Sequence, residues 1–248
     1  MLHATSLTKR YEQVTALSDV SFSVRPGEVL GLIGPNGSGK TTLFECLGGV
    51  LPLDGGTLER HGKPLSATDR TSLLFYVPDA IAPWPAQPVR WALDFTIGFF
   101  GGTRVRPPHS ASSGLTPTLD EVIERLDLGP LLNSPIGTLS KGQRKRAVLA
   151  MGLLMPQPVL LADEPFEGLD VRQSRDMART LRSFANAGKT LFLSIHQIGD
   201  AARVCDRFVL LSGGRTRGEG TLGELTALAA SRGAPAPSDF ESVFLALT

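Results

Sequence analysis

Residues 34–41 read Gly34-Pro35-Asn36-Gly37-Ser38-Gly39-Lys40-Thr41 and fit the phosphate-loop pattern G-x-x-x-x-G-K-[ST] without a mismatch. Such a glycine-rich run continues neither a strand nor a helix, so it forces a turn whose form restricts everything around it. The apolar run 28–33 before it reads as a buried strand, and 42–47 after it as the start of a helix. That strand–loop–helix context separates the pattern from a glycine-rich turn beside a surface lysine. Glycines let successive backbone N–H groups turn inward around phosphate oxygens, and the helix N-terminus adds partial positive charge. Lys40 can reach the β- and γ-phosphates, and the Thr41 hydroxyl can ligate Mg²⁺. The stretch predicts that the chain binds a nucleoside triphosphate.

Charge bounds the alternatives. With 25 Lys and Arg against 24 Asp and Glu, the formal net charge is +1. No basic excess points to nucleic acid, and none is expected as a partner. The longest apolar stretch, residues 91–100, carries Asp94 and falls short of the ~20 apolar residues of a membrane span. The opening residues lack a basic start followed by an apolar run, so a cytoplasmic location is expected. Cys46 and Cys205 lie in apolar segments and read as small buried hydrophobes.

Strand-like and helical segments alternate, as in an α/β fold with a largely parallel sheet. Residues 2–7, 20–24 and 56–60 are bracketed by turns and predict an antiparallel lobe. Residues 88–155 read as mainly helical, with Leu119, Val122, Ile123 and Leu126 on one apolar face. Residues 101–114 have the composition of a surface loop. Residues 160–162, 190–194 and 208–211 read as later core strands. Residues 232–238 read as a linker, and 240–247 as an amphipathic helix. The expected division is 1–230 for the main domain, with a helical lobe at about 80–155, and 231–248 for linker and terminal helix.

The apolar strand 158–162 ends in Asp163 and Glu164. Side chains alternate along a strand, so adjacent carboxylates can take different tasks. Asp163 is expected to hold Mg²⁺ and Glu164 to polarise the water that attacks the γ-phosphate. Between this strand and the glycine loop, Leu139-Ser140-Lys141-Gly142-Gln143 opens a helix with Ser140 as N-cap and no acid in its first turn. On its own that is a capped helix; a phosphate would also suit its end.

Taken in order, these motifs resemble those of the ATP-binding cassette (ABC) ATPases, from about Leu2 to Thr248. Residues 34–42, through Thr42, match the Walker A loop, and 139–143 match the LSGGQ signature with Lys141 in third place. Residues 160–164 match Walker B, 167–170 the D-loop, 194–196 the switch histidine His196, and Tyr11 the aromatic that stacks on adenine. The resemblance implies a P-loop NTPase core with an antiparallel β lobe and a helical signature lobe. It implies ATP and Mg²⁺ as ligands and head-to-tail pairing with a second cassette, a copy of itself before a different chain. Ser140, Gly142 and Gln143 would then serve the partner's γ-phosphate, and His196 would orient water beside Glu164.

One departure stands out. The family's Q-loop glutamine position is held by Asp79, and Gln87 does not fit the register. Asp79 is expected to ligate Mg²⁺, leaving binding intact while slowing or re-timing hydrolysis. Lys141 would add a cation near the partner's phosphates, or simply face solvent. Trp84, among prolines, is the expected anchor for a membrane permease, and Trp91 is expected in the core. The tail 240–248 resembles the endings of cassettes that serve ABC-2-type exporters. The implied function is the ATPase subunit of a transporter on the inner face of the membrane, energising a separate permease for export. The alternatives are a soluble cassette that uses ATP-driven dimerisation as a switch or remodeller, and a regulatory binder with weak hydrolysis.

Overall fold

The computed structural model describes residues 1–101, 117–233 and 239–248. The expected loop at 101–114 and linker at 232–238 lie mostly outside the described residues.

The chain opens with β1 (Leu2–Tyr11), β2 (Val14–Val24) and β3 (Val29–Ile33), followed by α1 (Lys40–Leu47). Next come β4 (Gly55–Arg60), β5 (Lys63–Pro64), α2 (Ala67–Leu73), β6 (Leu74–Val77) and α3 (Val89–Phe100). Then α4 (Leu119–Arg125), α5 (Lys141–Leu153), β7 (Val159–Asp163) and α6 (Val171–Asn186) lead to β8 (Thr190–Ile195) and α7 (Ile198–Val204). The chain closes with β9 (Arg207–Ser212), β10 (Arg215–Gly220), α8 (Leu222–Ser231) and α9 (Phe240–Leu247).

Two sheets carry the architecture. One has the order β10-β9-β3-β8-β7-β6, parallel from β9 to β6 with β10 antiparallel at the edge. Its central strands β3 and β8 are buried along their whole length. That is why β3 reads as an apolar run and β8 as a largely apolar one, as strands covered on both faces do. The second sheet, β2-β1-β4-β5, is antiparallel, so the expected lobe forms with longer strands than the sequence marked.

The period of two sorts β3 between two cores. Leu30 and Leu32 join Phe22, Phe44 and Phe192 between the sheets, while Val29 and Ile33 face the helical side. Phe44 of α1 meets Phe192 at 4.9 Å between ring centroids, and Phe22 meets Phe192 at 5.3 Å. Burying each such ring stabilises the fold by about 1.5–3 kcal/mol. The helix carrying Lys40 and Thr41 is thereby fixed under the main sheet. On the opposite face, α5 contributes Ala147, Leu149, Ala150 and Leu153 to the larger core. Leu119, Val122 and Leu126 of the helical lobe are buried and Ile123 packs against them, the predicted face. The terminal α9 docks through Phe240, Val243 and Leu247, with Phe240 against Phe208 at 4.3 Å. No helix among the described residues is long and apolar enough to cross a membrane.

Candidate functional site

The loop between β3 and α1 takes its form from close packing. A Cβ on Gly34 would lie 2.2 Å from the Leu211 carbonyl, and one on Gly39 would lie 2.7 Å from that of Ala16. Gly39 also has φ +102° and serves as N-cap of α1 without a side-chain cap, and no acid occupies the first turn. The first N–H groups of α1 therefore lack the oxygen acceptor that most helices supply for themselves. Ser38 Oγ is buried without a hydrogen-bond partner. It packs inside the loop, 2.5 Å from where a Cβ on Gly34 would lie. Lys40 is buried, and its Nζ donates to the carbonyls of Gly34 (2.8 Å) and Pro35 (3.3 Å) and stands 3.8 Å from Glu164 Oε1. The uncapped N–H groups and the Lys40 ammonium fit a triphosphate, whereas Gly34 and Ser38 are not among the residues that line the adjoining cavity.

The parallel pairing of β7 with β8 sets Asp163 opposite Ser194 and leaves His196 just past the end of its strand. The two carboxylates take different partners, Asp163 as the last residue of β7 and Glu164 just beyond it with a left-handed backbone rather than in strand alternation. Thr41 Oγ1 donates to Asp163 Oδ2 at 2.8 Å, and Ser194 Oγ donates to Asp163 Oδ1. Ser194 Oγ also accepts from the Glu164 N–H at 3.1 Å, so one hydroxyl holds both acids. Glu164 itself has φ +48°, a conformation that costs a non-glycine residue of order 1–3 kcal/mol and recurs at functional sites. Its carboxylate accepts from the His196 N–H at 3.2 Å and lies 2.7 Å from His196 Nδ1. The hydroxyl of Thr41 and the carboxylate of Asp163 form a pair of adjacent hard oxygen ligands, which fits Mg²⁺ with its preference for oxygen and for few protein ligands.

Lys40, Thr41, Thr42, Asp163, Glu164 and His196 line one cavity of about 640 Å³, together with Asn36, Gly37, Gly39, Asp79 and Glu167. Asp79 reaches this cavity but its carboxylate is engaged by Lys145 Nζ at 2.5 Å. Burial works to raise the Asp79 carboxyl; hydrogen bonding and charge from Lys145 outweigh it and leave the group below the ordinary carboxylate value. Tyr11 is not among the lining residues. It ends β1 half in solvent, while Val14, Thr15 and Ala16 of β2 form the wall nearest that lobe. Ser140, Gly142 and Gln143 are not among the lining residues either. Ser140 caps α5 as predicted, its hydroxyl accepting from Gln143 N–H and its own N–H donating to Gln143 Oε1 at 3.0 Å. Lys141 faces solvent, as one expectation had it, and its ammonium pairs with Glu167 at 2.5 Å, a contact that raises its pKa.

Sequence reasoning assigned no task of their own to three residues that the geometry brings in, two of which, Glu167 and Ser194, lay inside matched motifs. Ser194 is the one hydroxyl amid the apolar side chains of Leu191 to Ile195, a signal that was available. Lys145 and Glu167 sit among other charges, and spacing alone did not single them out. One expectation is corrected. Trp91 is 40% exposed rather than in the core, because α3 buries Val89, Ala92, Leu93, Thr96 and Ile97 and turns 91, 95 and 99 outward.

A family profile described as "ABC transporter" matches residues 17–167. Similar proteins include the "Nod factor export ATP-binding protein I" of Burkholderia pseudomallei, 35% identical over 86% of this chain and 68% of that protein. The "Chelated iron transport system membrane protein YfeB" of Yersinia pestis is 32% identical over 80% of this chain and 66% of that protein. The "Manganese transport system ATP-binding protein MntA" of Synechocystis is 33% identical over 79% and 75%. The chain spans about two thirds of the length of the first two. Among solved structures, an "ATP binding subunit of ABC transporter" aligns over 100% of this chain and 99% of its own, with a TM-score of 0.82 and 24% identity. A dimeric post-hydrolysis cassette bound to ADP and Pi aligns over 89% and 98%, with a TM-score of 0.71 and 22% identity. These two share the fold described above.

Proposed function

The chain belongs to the ABC transporter family, and we propose that it is the ATP-hydrolysing cassette of a transporter, acting on a separate membrane permease. The observation that carries this reading is the convergence of Lys40, Thr41, Asp163, Glu164 and His196 on one cavity, while Ser140 and Gly142 lie outside it. In the reaction, the oxygen of a water attacks the γ-phosphorus and the bond to the bridging oxygen of ADP breaks. Glu164 takes the proton as that bond forms, and His196, beside it at 2.7 Å, fixes the carboxylate's direction and faces the transferred phosphoryl group. Lys40 exchanges the Gly34 and Pro35 carbonyls for β- and γ-phosphate oxygens. Mg²⁺, when bound, neutralises charge on those oxygens; Thr41 and Asp163 would hold it, and Asp79 lies in the same cavity.

The signature residues outside the cavity support a site completed by a second cassette, with Ser140 and Gly142 offered to the partner's γ-phosphate. A partner permease is supported by the surface of α3 and the turn before it. Trp84, Trp91, Phe95 and Phe99 form a ladder with successive ring centroids 5.7, 5.1 and 5.7 Å apart along Trp84–Trp91–Phe95–Phe99, and all four are exposed. Exposed aromatics in a contiguous set mark interfaces. On this reading the chain sits on the inner face of the membrane. Export is our choice of direction, from the relatives named for Nod factor export and from the C-terminal helix; the relatives named for iron and manganese transport define the contrary outcome.

The test is purification of the tagged chain from detergent-solubilised native cells. A polytopic membrane protein in equal amount, with ATPase activity that Glu164→Gln removes, supports the reading. A soluble partner, or the chain alone, transfers it to a dimerisation switch.

A further inference from the structure

Lys145 is a buried ammonium, 5% exposed, on the second turn of α5. A charged amine at such depth persists only where partners replace water. Its partners all belong to the catalytic end of the sheet. Nζ donates to the Asp79 carboxylate at 2.5 Å, to the Asp79 carbonyl at 3.2 Å and to the Asp163 carbonyl at 3.4 Å. The last of these is the peptide group that leads directly into Glu164. One turn earlier on the same helix, Lys141 pairs with Glu167, three residues beyond Glu164. Two struts from α5 therefore grip the acid-bearing segment on either side of Glu164, and Asp79 is the counter-ion of the buried one. A neutral side chain at position 79 would leave Lys145 short of its one negative partner.

We propose that Lys145 is a positioning residue for hydrolysis, holding the Asp163–Glu164 turn in register with the signature helix through its buried pair with Asp79. It touches no reacting atom. Its effect is that the end of α5 presenting Ser140 and Gly142 cannot shift without moving the peptide that sets Glu164. This rests on the ATPase reading above, and Asp79 takes on the duty of charge partner in place of a freely available metal ligand.

The experiment compares Lys145→Met, which keeps the apolar stem, with Lys145→Arg, Asp79→Asn and the Asp79→Asn/Lys145→Met double variant. Two readouts are taken on the full chain: kcat and KM for ATP hydrolysis per folded molecule, and hydrogen exchange of the nucleotide-free protein. Lys145→Met is expected to lower kcat about tenfold or more with KM within about threefold, and Lys145→Arg to recover most of that loss. The double variant should exceed Lys145→Met about threefold, because it removes the stranded carboxylate. Exchange should quicken over residues 77–82 and 163–168 and stay unchanged in β3 and β8. The proposal is overturned if Lys145→Met keeps kcat within about twofold of wild type, or if exchange rises uniformly through the core. Should wild type and Glu164→Gln hydrolyse ATP equally, the ATPase reading falls, while the exchange pattern still decides whether Lys145 fixes this turn.

Discussion

Glu164 carries a positive φ at a position where glycine would be relaxed, and its N–H is held by both the carbonyl and the hydroxyl of Ser194. The strain aims the carboxylate along His196 instead of along the strand. Replacing it by glutamine keeps the shape and removes the base. Steady-state assays should find turnover reduced by about a hundredfold or more, with nucleotide affinity retained. Ser194→Ala should act differently, since it removes the one hydroxyl that bonds to both Asp163 and the Glu164 N–H. We expect it to lower kcat and to cost about 1–3 kcal/mol in urea unfolding, because the buried Asp163 Oδ1 loses its donor while the Glu164 N–H keeps the Ser194 carbonyl. The candidate acids, the lysine and the histidine were all legible in the sequence as motif residues. Asp79 was legible as a departure, yet its partner was not: a residue 66 positions away meets it only because α5 packs against β6 and β7.

Elements repeat this lesson at larger size. The outward stripe of α3 follows a spacing of four, Trp91, Phe95 and Phe99, against a buried stripe at Val89, Leu93 and Ile97. Both stripes are apolar, so periodicity alone could not say which faces the core. Substituting Trp91 and Phe99 together by alanine should weaken co-purification of the permease about tenfold or more and leave ATP hydrolysis by the isolated chain unchanged. A second element-level test concerns Lys189, which is 1% exposed and donates to the Met155 carbonyl at 2.6 Å. Burial pushes its amine down to about 8 from an ordinary 10.5. Between those values the unfolded chain holds the proton and the folded chain has released it, so this group's contribution to stability rises with pH. From pH 7 to 10.5, wild type should gain on Lys189→Met by at most ~3 kcal/mol in denaturant unfolding, each pK unit being worth about 1.4 kcal/mol.

At the scale of the whole molecule, the parallel sheet and its antiparallel companion followed from the run of apolar strands and turn signals, and the two sheets formed where expected. What composition could not convey was which surface each motif would reach. Within the chain, the signature end of α5 and the phosphate loop belong to different faces. Ser140→Arg should block ATP-dependent dimerisation in gel filtration while leaving binding of ATP to the single chain intact. Mixing Ser140→Arg with Glu164→Gln should restore one working site per pair, detectable as turnover that neither variant shows alone. The bare first turn of α1 carries this further. A helix whose opening N–H groups find no oxygen in the polypeptide is unfinished, and the phosphate supplies the missing atoms. Nucleotide binding then completes the opening of this helix, and occupancy and folding are linked equilibria. At a ligand concentration a hundred times the dissociation constant this linkage adds about 2.7 kcal/mol of stability. A shortage of ATP would thus weaken the protein as well as idle it, and proteolysis at limiting nucleotide should quicken first near residues 34–47.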